Sequence, residues 1–396
     1  MRYGQFIKEH GDKKLTLKFS ILQFTFWSTW CSFFSFAGMY FIHSGYSYSF
    51  VGAAMSVAIC CGIAGQVFWG FLCDKLQSIK KVFILANILL LAAILALADP
   101  RSPYSVLIFI GFLGFCQTPQ PAVLDSWILK KNVNTPLNYG FIRMWASIGF
   151  SCFGWIIGIS IEGAGYGVMF VFAAAFVAVT LAVSLLVSDC GGGGEGIRLG
   201  DLRLSYGRLI KNRRYLLFLA ACFLIGFGNQ ATDNLLSLVV SEVGGGSGDL
   251  GMIIFLSAIT ELPFFFYSAR IFSRFSPRQC FWFSCCAYVL EYTIIALAHS
   301  TTMVAVGVLF QGIGFSVLLP NLRTFAHDNS PEQMRTSAQT LTDAVFAGLA
   351  GMASSAFGAV IIERAGVGVM FGLCAGAAIL AMALFLKVTK AGAVSH

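Results

Sequence analysis

The feature that most constrains this chain is a series of apolar blocks, many of them close to the length of a membrane-spanning helix. About 20 consecutive apolar residues are needed to cross the hydrocarbon core of a bilayer. Hydrophobic residues make up 57% of the 396 residues and charged residues only 11%, whereas about 25% of the residues in an average soluble domain are charged. These proportions exclude a soluble enzyme. The sequence predicts an all-α, multi-pass membrane protein that is not an enzyme.

Turn signals divide the apolar blocks into twelve predicted transmembrane helices. Clusters of proline, serine, asparagine and glycine separate neighbouring blocks, for example at 99–103, 134–136 and 329–331. The predicted spans are 17–43, 47–73, 80–99, 103–131, 138–162, 165–187, 214–243, 248–272, 279–299, 301–325, 335–362 and 366–388.

The longest polar stretch, 188–213, divides these spans into two sets of six. We interpret it as a cytoplasmic linker that contains an interfacial helix at 199–212. It separates an N-terminal six-helix half, residues 1–187, from a C-terminal six-helix half, residues 214–396. Carriers built from two such halves bind their substrates near the bilayer midplane.

The distribution of basic residues predicts the orientation of the chain in the membrane. If both termini are cytoplasmic, 23 of the 26 lysines and arginines fall on the cytoplasmic side, Arg101 and Arg364 lie outside, and Arg143 lies within a span. We therefore expect a multi-pass protein of the cell (inner or plasma) membrane with both termini in the cytoplasm. The net charge of +8 is then a topology signal, and no nucleic-acid partner is expected.

Neither the cysteines nor the glycines form a recognisable cofactor motif. The twelve cysteines contain no CxxC pair and are interpreted as small apolar residues within helices. A phosphate-binding Gly-x-x-x-x-Gly-Lys-Ser/Thr loop is absent from the sequence, which argues against an ATP-driven pump. We expect no cofactor and no metal, and a monomer whose partners are a small-molecule substrate, a proton and the lipid bilayer.

A motif at the end of the second predicted span indicates a superfamily. Residues 65–75 read GQVFWGFLCDK and are followed by Lys80 and Lys81. This segment resembles the signature of the major facilitator superfamily, in which Gly-x-x-x-Asp precedes a short basic run between spans two and three. The resemblance implies a gating motif formed by Gly70, Asp74 and Lys75, in which Gly70 allows neighbouring helices to approach.

A second segment narrows the resemblance to one branch of that superfamily. Asp125 on span four is followed by residues 139–150, YGFIRMWASIGF, on span five. The pattern is similar to the oligosaccharide:proton symporter branch, which includes lactose permease and phenylpropionate-type permeases. That branch pairs an acidic residue on span four with an arginine eighteen positions later, and the spacing of Asp125 and Arg143 is the same.

Geometry supports the pairing of Asp125 with Arg143 independently. Each residue lies nine positions from the loop apex at position 134, so both are at the same depth, roughly 13 Å at 1.5 Å per residue. An ionisable residue within a span normally faces a cavity or a partner. We therefore expect Asp125 and Arg143 to form an ion pair. Either the pair is purely structural or Arg143 also binds substrate hydroxyls or a carboxylate.

Four carboxylates lie within apolar runs of the second half, where no lysine or arginine is placed deeply enough to neutralise them. An unpaired carboxylate in a low-dielectric medium favours its protonated form, so these groups are candidates for proton coupling. Glu261 lies near the middle of span eight and is the preferred candidate. The span-ten segment lacks the neighbouring histidine and glutamate found in lactose permease, so the proton pathway must be arranged differently. The four candidates are Glu261, Asp343, Asp233 and Glu291.

The substrate-binding residues are predicted from neutral hydrogen-bonding groups and aromatic rings. Such groups, with one ion pair, suit sugars, nucleosides or small aromatic acids. The leading hypothesis is proton-coupled symport of a small polar organic solute, preferably a sugar or oligosaccharide, by alternating access. The alternatives are a nucleoside or aromatic-acid proton symporter, an exporter or lipid flippase, and a receptor-like protein that does not transport. Besides Asp125 and Arg143, the predicted substrate-binding residues are Trp145, Phe150, Phe36, Gln117, Gln311 and Asn321.

Overall fold

The computed structural model describes residues 13–99, 102–134, 137–190, 212–330 and 335–390. Within these ranges the regular secondary structure is entirely helical. The predicted interfacial helix at 199–212 lies almost wholly outside the described residues.

The described part of the first half of the chain contains eight helices. The first predicted span consists of a long helix and a short one that are separated at Ser35 and Phe36, and the fourth span is divided at Thr118 and Pro119. Serine and proline fix several helix starts, as at α5, where Ser102 caps the helix and Pro103 occupies its first turn. The helices are α1 Lys13–Phe34, α2 Ala37–His43, α3 Tyr48–Leu76, α4 Ile79–Ala96, α5 Pro103–Gln117, α6 Gln120–Asn134, α7 Tyr139–Ala164 and α8 Gly167–Leu186.

The second half continues the same pattern. Its last helix, α14, contains a break at Gly366, whose φ of 85° lies in the region that favours glycine. This break falls between the last two predicted spans. The helices are α9 Arg213–Glu242, α10 Ser247–Arg274, α11 Pro277–Ala296, α12 Thr301–Asp328, α13 Arg335–Asp343 and α14 Ala350–Lys390, and a π-helical segment, Ala344–Leu349, joins α13 to α14.

Among the described residues, nine helical segments are long and apolar enough to cross a membrane. One of them, Ala338–Val388, is 51 residues long and includes the break at Gly366. Helices α1 and α10 coincide with two further predicted spans but are not among the nine. The multi-pass helical architecture is therefore confirmed, while the count of twelve spans stays a prediction.

The chain divides into two compact units. The first unit comprises residues 1–44, 57–196 and 250–255, and the second comprises 45–56, 197–249 and 256–396. In the first unit, α1 packs against α7 and α8, and α4 packs against α5, α6 and α8. Its largest apolar cluster surrounds Trp127, whose ring contacts Phe19 and Phe83 edge-on at centroid distances of 5.8 and 6.0 Å.

In the second unit, α9 and α11 both pack against α14, and α11 also packs against α12. Aromatic rings from four helices fill one end of this bundle. Phe281 stacks on Phe385 at 4.0 Å, and Phe325 lies 4.8 Å from Phe218 and 5.0 Å from Phe385. Burial of these rings fixes the relative positions of the helices that carry the polar residues described below.

Three lysines of the first unit bind the C-terminal end of α8. Lys18 donates to the carbonyl of Leu186 at 2.8 Å, and Lys80 donates to the carbonyls of Leu185 and Val187 at 2.8 Å each. Lys131 donates to the Ser188 hydroxyl at 2.8 Å and to the next backbone carbonyl at 3.0 Å. Cations at a helix C-terminus satisfy carbonyls that lack helical partners and interact favourably with the helix dipole.

Asp189, which follows this helix end, is the best-satisfied carboxylate outside the membrane-spanning segments. Burial alone would raise the pKa of Asp189, but hydrogen bonds from the Ser78 hydroxyl and from the backbone amides of Lys80 and Cys190, with the charge of Lys81, hold it below its usual value. The carboxylate therefore joins the start of α4 to the end of α8.

Candidate functional site

A polar cluster in the first unit forms around Asp125 on α6 and Arg143 on α7. The Gln23 amide, on α1, donates to the Asp125 carboxylate at 2.8 Å. Tyr139, at the first position of α7, is a second hydrogen-bonding partner of Asp125 and also interacts electrostatically with Arg143. The Arg143 guanidinium lies over the Trp27 ring at 4.8 Å from its centroid. Gln23 and Trp27 lie one turn apart on α1. One face of this helix therefore contacts both charged residues.

The expected ion pair between Asp125 and Arg143 is wrong for this conformation. Among the described residues no salt bridge joins the two side chains, although both interact with Tyr139. The physical reason is that α1 supplies alternative partners, a carboxamide for the acid and an aromatic face for the guanidinium. Arg143 is half-buried, and its donors are therefore not committed to a carboxylate.

Aromatic side chains extend this cluster. Phe150 contacts Trp27 edge-on at 6.3 Å, and Trp145 contacts Phe24 edge-on at 6.2 Å. The indole nitrogens of Trp27 and Trp145 have no hydrogen-bond partner in the described structure. Phe36 differs from the other rings, because it is fully buried at the junction of α1 and α2. In this conformation the Phe36 ring is therefore not accessible to a ligand, and its assignment to the substrate site stays a prediction.

Three of the four predicted carboxylates come together in the second unit. Asp233 on α9 accepts a hydrogen bond from Gln311 on α12 at 2.6 Å. Glu261 on α10 is half-buried and interacts electrostatically with Asp233. Glu291 on α11 is fully buried and accepts a hydrogen bond from Thr232 at 2.6 Å. In the described part of the chain, no lysine, arginine or histidine forms a salt bridge with any of the three.

The fourth carboxylate, Asp343, differs from this group. Arg323 on α12 lies 3.2 Å from Asp343, and the two side chains are 52% and 41% exposed. The expectation that no arginine in this half can neutralise Asp343 is therefore wrong. The span assignment placed Arg323 at a cytoplasmic end, but α12 and α13 bring it beside Asp343 at the same level.

The remaining predicted substrate-binding residues have different environments. Gln117 lies at the end of α5, is buried, and has neither amide atom paired in the described structure. Asn321 is also buried, but its amide donates to the carbonyl of Pro277 at 2.9 Å. Asn321 therefore joins the start of α11 to α12, and its assignment to the substrate site stays a prediction.

The predicted gating motif lies at the end of α3. Gly70 has open space where a Cβ atom would stand, whereas a Cβ on Gly65 would collide with the carbonyl of Phe115 on α5. Gly65, not Gly70, is therefore the glycine that permits close helix packing. Asp74 and Lys75 are exposed, and a cavity of about 310 Å³ is lined in part by Gly70 and Asp74.

Sequence reasoning missed several members of these clusters. Gln23, Thr232, Tyr288 and Tyr292 were not predicted, although each is a polar side chain within an apolar helix. The available signal was helical spacing, because Gln23 lies one turn from Trp27 and Tyr288 lies one turn from Tyr292 on α11.

Comparisons with known proteins identify the family. Residues 16–373 match the profile of the MFS_1 like family. The chain is 26% identical to the maltose permease of Geobacillus stearothermophilus over 346 residues, which cover 85% of this chain and 86% of that protein. It is 24% identical to the uncharacterized transporter YwbF of Bacillus subtilis (strain 168) over 350 residues, covering 87% and 86% respectively.

Solved structures agree with this assignment at the level of the fold. The crystal structure of the nucleoside transporter NupG superimposes with a TM-score of 0.84 at 18% sequence identity and covers 95% of this chain and 99% of that chain. The relatives are transporters and permeases, not enzymes. The family match, spanning most of the chain, shows that this protein belongs to the MFS_1 like family of major facilitator superfamily transporters.

Proposed function

We propose that this transporter is a proton-coupled symporter of a small polar organic solute, preferably a sugar or oligosaccharide, that works by alternating access. The observation that carries the proposal is the cluster around Arg143. A guanidinium with uncommitted donors, held over an aromatic ring beside a hydrogen-bonded carboxylate, can bind a ligand rich in hydroxyl groups.

The relationship to a maltose permease supports a sugar as the substrate class. Sugar hydroxyls both donate and accept hydrogen bonds, so they match a site that offers guanidinium donors and carboxylate acceptors together. The Trp27, Trp145 and Phe150 rings offer apolar faces that complement the C–H surface of a sugar ring.

The carboxylates of the second unit support proton coupling. Glu261 is the preferred proton carrier, because it is half-buried and has Asp233, a like-charged group, as its electrostatic neighbour. Placing two carboxylates near each other disfavours the state in which both are ionised. Asp233 is the alternative carrier. The Arg323 contact with Asp343 makes that residue a weaker candidate.

The test uses the purified, full-length protein reconstituted into liposomes. Radiolabelled maltose is supplied outside with an inwardly directed proton gradient, and the same vesicles are tested with a protonophore. We expect maltose accumulation that the protonophore abolishes and maltose counterflow that it does not affect. Vesicles that neither accumulate nor exchange maltose would contradict the sugar assignment.

A nucleoside is the second candidate substrate. The edge-to-face rings of Trp27 and Phe150 beside Arg143 could receive a planar base, and the fold is similar to that of a nucleoside transporter. Uridine, a small aromatic acid and a fluorescent lipid, tested in the same vesicles, separate a nucleoside carrier, an aromatic-acid carrier and a flippase. Vesicles loaded with each solute also distinguish export from import.

The proposed orientation places both termini and the central linker in the cytoplasm of a cell-membrane protein. The asymmetric distribution of lysine and arginine supports this topology. Reporter fusions at residue 195 and at both termini should report a cytoplasmic location, and single cysteines at 101 and 364 should react with a membrane-impermeant reagent from outside. An extracellular position for residue 195 would overturn the map.

A further inference from the structure

Among the three clustered carboxylates of the second unit, Glu291 is the one that is fully buried. Its side chain, in the second half of α11, is 0% exposed, whereas Asp233 is exposed and Glu261 is half-buried. Thr232 donates to one carboxyl oxygen of Glu291 at 2.6 Å, and the other oxygen, Oε2, has no hydrogen-bond partner in the described structure. Buried polar atoms without partners are rare in folded proteins, and each one requires an explanation.

Two tyrosine hydroxyls near Glu291 are also buried without a hydrogen-bond partner in the described structure. Tyr288 and Tyr292 are 0% exposed, and neither hydroxyl has a partner in the described residues. Their rings stack at 5.7 Å with an interplanar angle of 20°. A Cβ atom on Gly228 would lie 2.5 Å from the Tyr292 hydroxyl. That hydroxyl therefore lies against α9, one turn before Thr232.

Among the described residues, the titratable groups around Glu291 include no lysine, arginine or histidine. The titratable groups that interact with it or with its tyrosines are Asp233 on α9, Glu261 on α10, Cys285 on α11 and Cys374 on α14. Helix α12 approaches the Glu291 backbone at Gly307 and contributes the neutral Gln311 nearby. A negative charge on Glu291 would have no cation to stabilise it and would face other acidic groups.

Hydrogen-bonding capacity leads to the same conclusion. An ionised carboxylate only accepts hydrogen bonds, whereas a protonated carboxyl also donates one. In the described structure Oε1 accepts from Thr232 and Oε2 has no partner, so a carboxylate ion buried here would be stabilised by a single hydrogen bond. The protonated form therefore fits these contacts and the absence of a neighbouring cation among the described residues.

We propose that Glu291 holds a retained proton and acts as a positioning residue, distinct from the proton carrier Glu261. Through Thr232, the protonated carboxyl fixes the rotation of α9 and hence the direction in which the next residue, Asp233, faces Gln311. The inference that Glu291 retains its proton rests on the observed contacts alone. The effect on Asp233 rests on the proposed function, because it concerns coupled transport.

Infrared spectroscopy of the full-length protein in liposomes tests the retained proton without any substrate. We expect a C=O stretching band of a protonated carboxyl group. The band should persist well above the pKa of an exposed glutamate, which is about 4.3. Glu291→Gln should remove this band, and Thr232→Val should shift it by removing the hydrogen bond to Oε1. Tyr104→Phe, which removes a hydroxyl from an 80% exposed tyrosine at the start of α5, is the matched control and should leave it unchanged.

Identical spectra for the wild type, Glu291→Gln and Thr232→Val would overturn the proposal. If Glu291→Gln does not fold, Thr232→Val still decides it, because a shifted band requires a protonated carboxyl at Glu291.

Transport assays distinguish a proton that Glu291 retains from a proton that is exchanged during coupled transport. Glutamine imitates a permanently protonated glutamate, so Glu291→Gln should keep uphill maltose uptake within about twofold of the wild type. Glu261→Gln should abolish uphill uptake. Loss of uphill uptake with preserved counterflow in Glu291→Gln would show that its proton is exchanged, and would overturn the retained-proton role. If no solute is transported by the wild type, the proposed function fails, while the infrared result still tests the proton.

Discussion

In the first compact unit, the intramembrane charges Asp125 and Arg143 have opposite signs and lie among hydrogen-bonding and aromatic partners. In the second unit, Asp233, Glu261 and Glu291 have the same sign, and among the described residues their hydrogen-bonding partners are neutral. Opposite charges with hydrogen-bonding and aromatic partners support the proposed ligand site. Like charges placed together can lower their net charge by binding protons, which supports the proposed coupling site. On this proposal, one bundle binds the ligand and the other binds protons.

The largest expected effect tests the ligand-binding side of this comparison. Arg143→Ala should weaken maltose binding by at least tenfold, because a hydrogen bond to a charged group contributes about 1.5–3 kcal/mol. Arg143→Lys should not restore binding, since an ammonium group cannot reproduce the planar guanidinium. Isothermal titration calorimetry on purified protein measures both.

Arg278 supplies a matched control for Arg143. Its guanidinium also lies over a tryptophan, Trp282, at 5.4 Å from the ring centroid, but it is at the start of α11, outside the cluster. Arg278→Ala should leave maltose binding unchanged. Equal binding by the wild type and both Arg143 variants would restrict Arg143 to a structural role.

The next effect tests the proton-binding side. Glu261→Gln keeps a hydrogen-bonding side chain of similar size but cannot release a proton. We expect normal maltose counterflow and loss of accumulation driven by a proton gradient, measured in the same proteoliposomes. Asp328→Asn, at an exposed carboxylate near the end of α12, is the control. Full uphill uptake by Glu261→Gln would transfer the coupling role to Asp233.

A smaller effect is expected where a carboxylate is fully satisfied. Because the pKa of Asp189 is held below its usual value, its ionised form stabilises the folded state above the unfolded pKa of about 3.9, and this contribution is lost as the pH falls through the folded pKa. Asp189→Asn should lower the melting temperature at neutral pH, and the difference should begin to shrink below about pH 4 and vanish once the pH is below the folded pKa. A difference that persists in acid would indicate a packing effect.

The smallest effect is expected at Arg323 and Asp343. Unlike the other three predicted carboxylates of the second unit, Asp343 forms a salt bridge with an arginine in the described structure. Both side chains are substantially exposed, and exposed ion pairs contribute about 0–1 kcal/mol. Arg323→Gln should therefore change the free energy of unfolding by less than about 1 kcal/mol, as measured by denaturant titration in detergent. A larger loss would show that this pair stabilises the second unit more than its exposure suggests.

Much of the fold could be predicted from the sequence because the signals are local. Apolar blocks and their capping serines and prolines placed helices such as α4, α7 and α12 within a few residues of their observed ends. The interruption at Phe36 was not predicted, because it falls inside an apolar run without a turn motif. The interruption at Thr118 was missed although residues 117–121 read QTPQP, whose prolines favour a helix boundary.

The candidate sites were predicted less completely because they depend on contacts between distant parts of the chain. Equal depth correctly brought Asp125 and Arg143 to the same region. The sequence did not reveal that Gln23, which precedes Asp125 by 102 positions, would donate a hydrogen bond to the Asp125 carboxylate. The choice between Gly65 and Gly70 as the packing residue depends on the rotation of α3, which a nearly uniform apolar helix does not specify.

The lysine contacts at the end of α8 have a consequence for the order in which the protein assembles. Lys18, Lys80 and Lys131 are synthesised well before the carbonyl groups at residues 185–188 that they bind. A nascent chain that ends before this point leaves all three ammonium groups without these partners. Emergence of the last helix of the N-terminal half therefore supplies the contacts that join α1, α4 and α6, and these contacts can form before synthesis of the second half is complete.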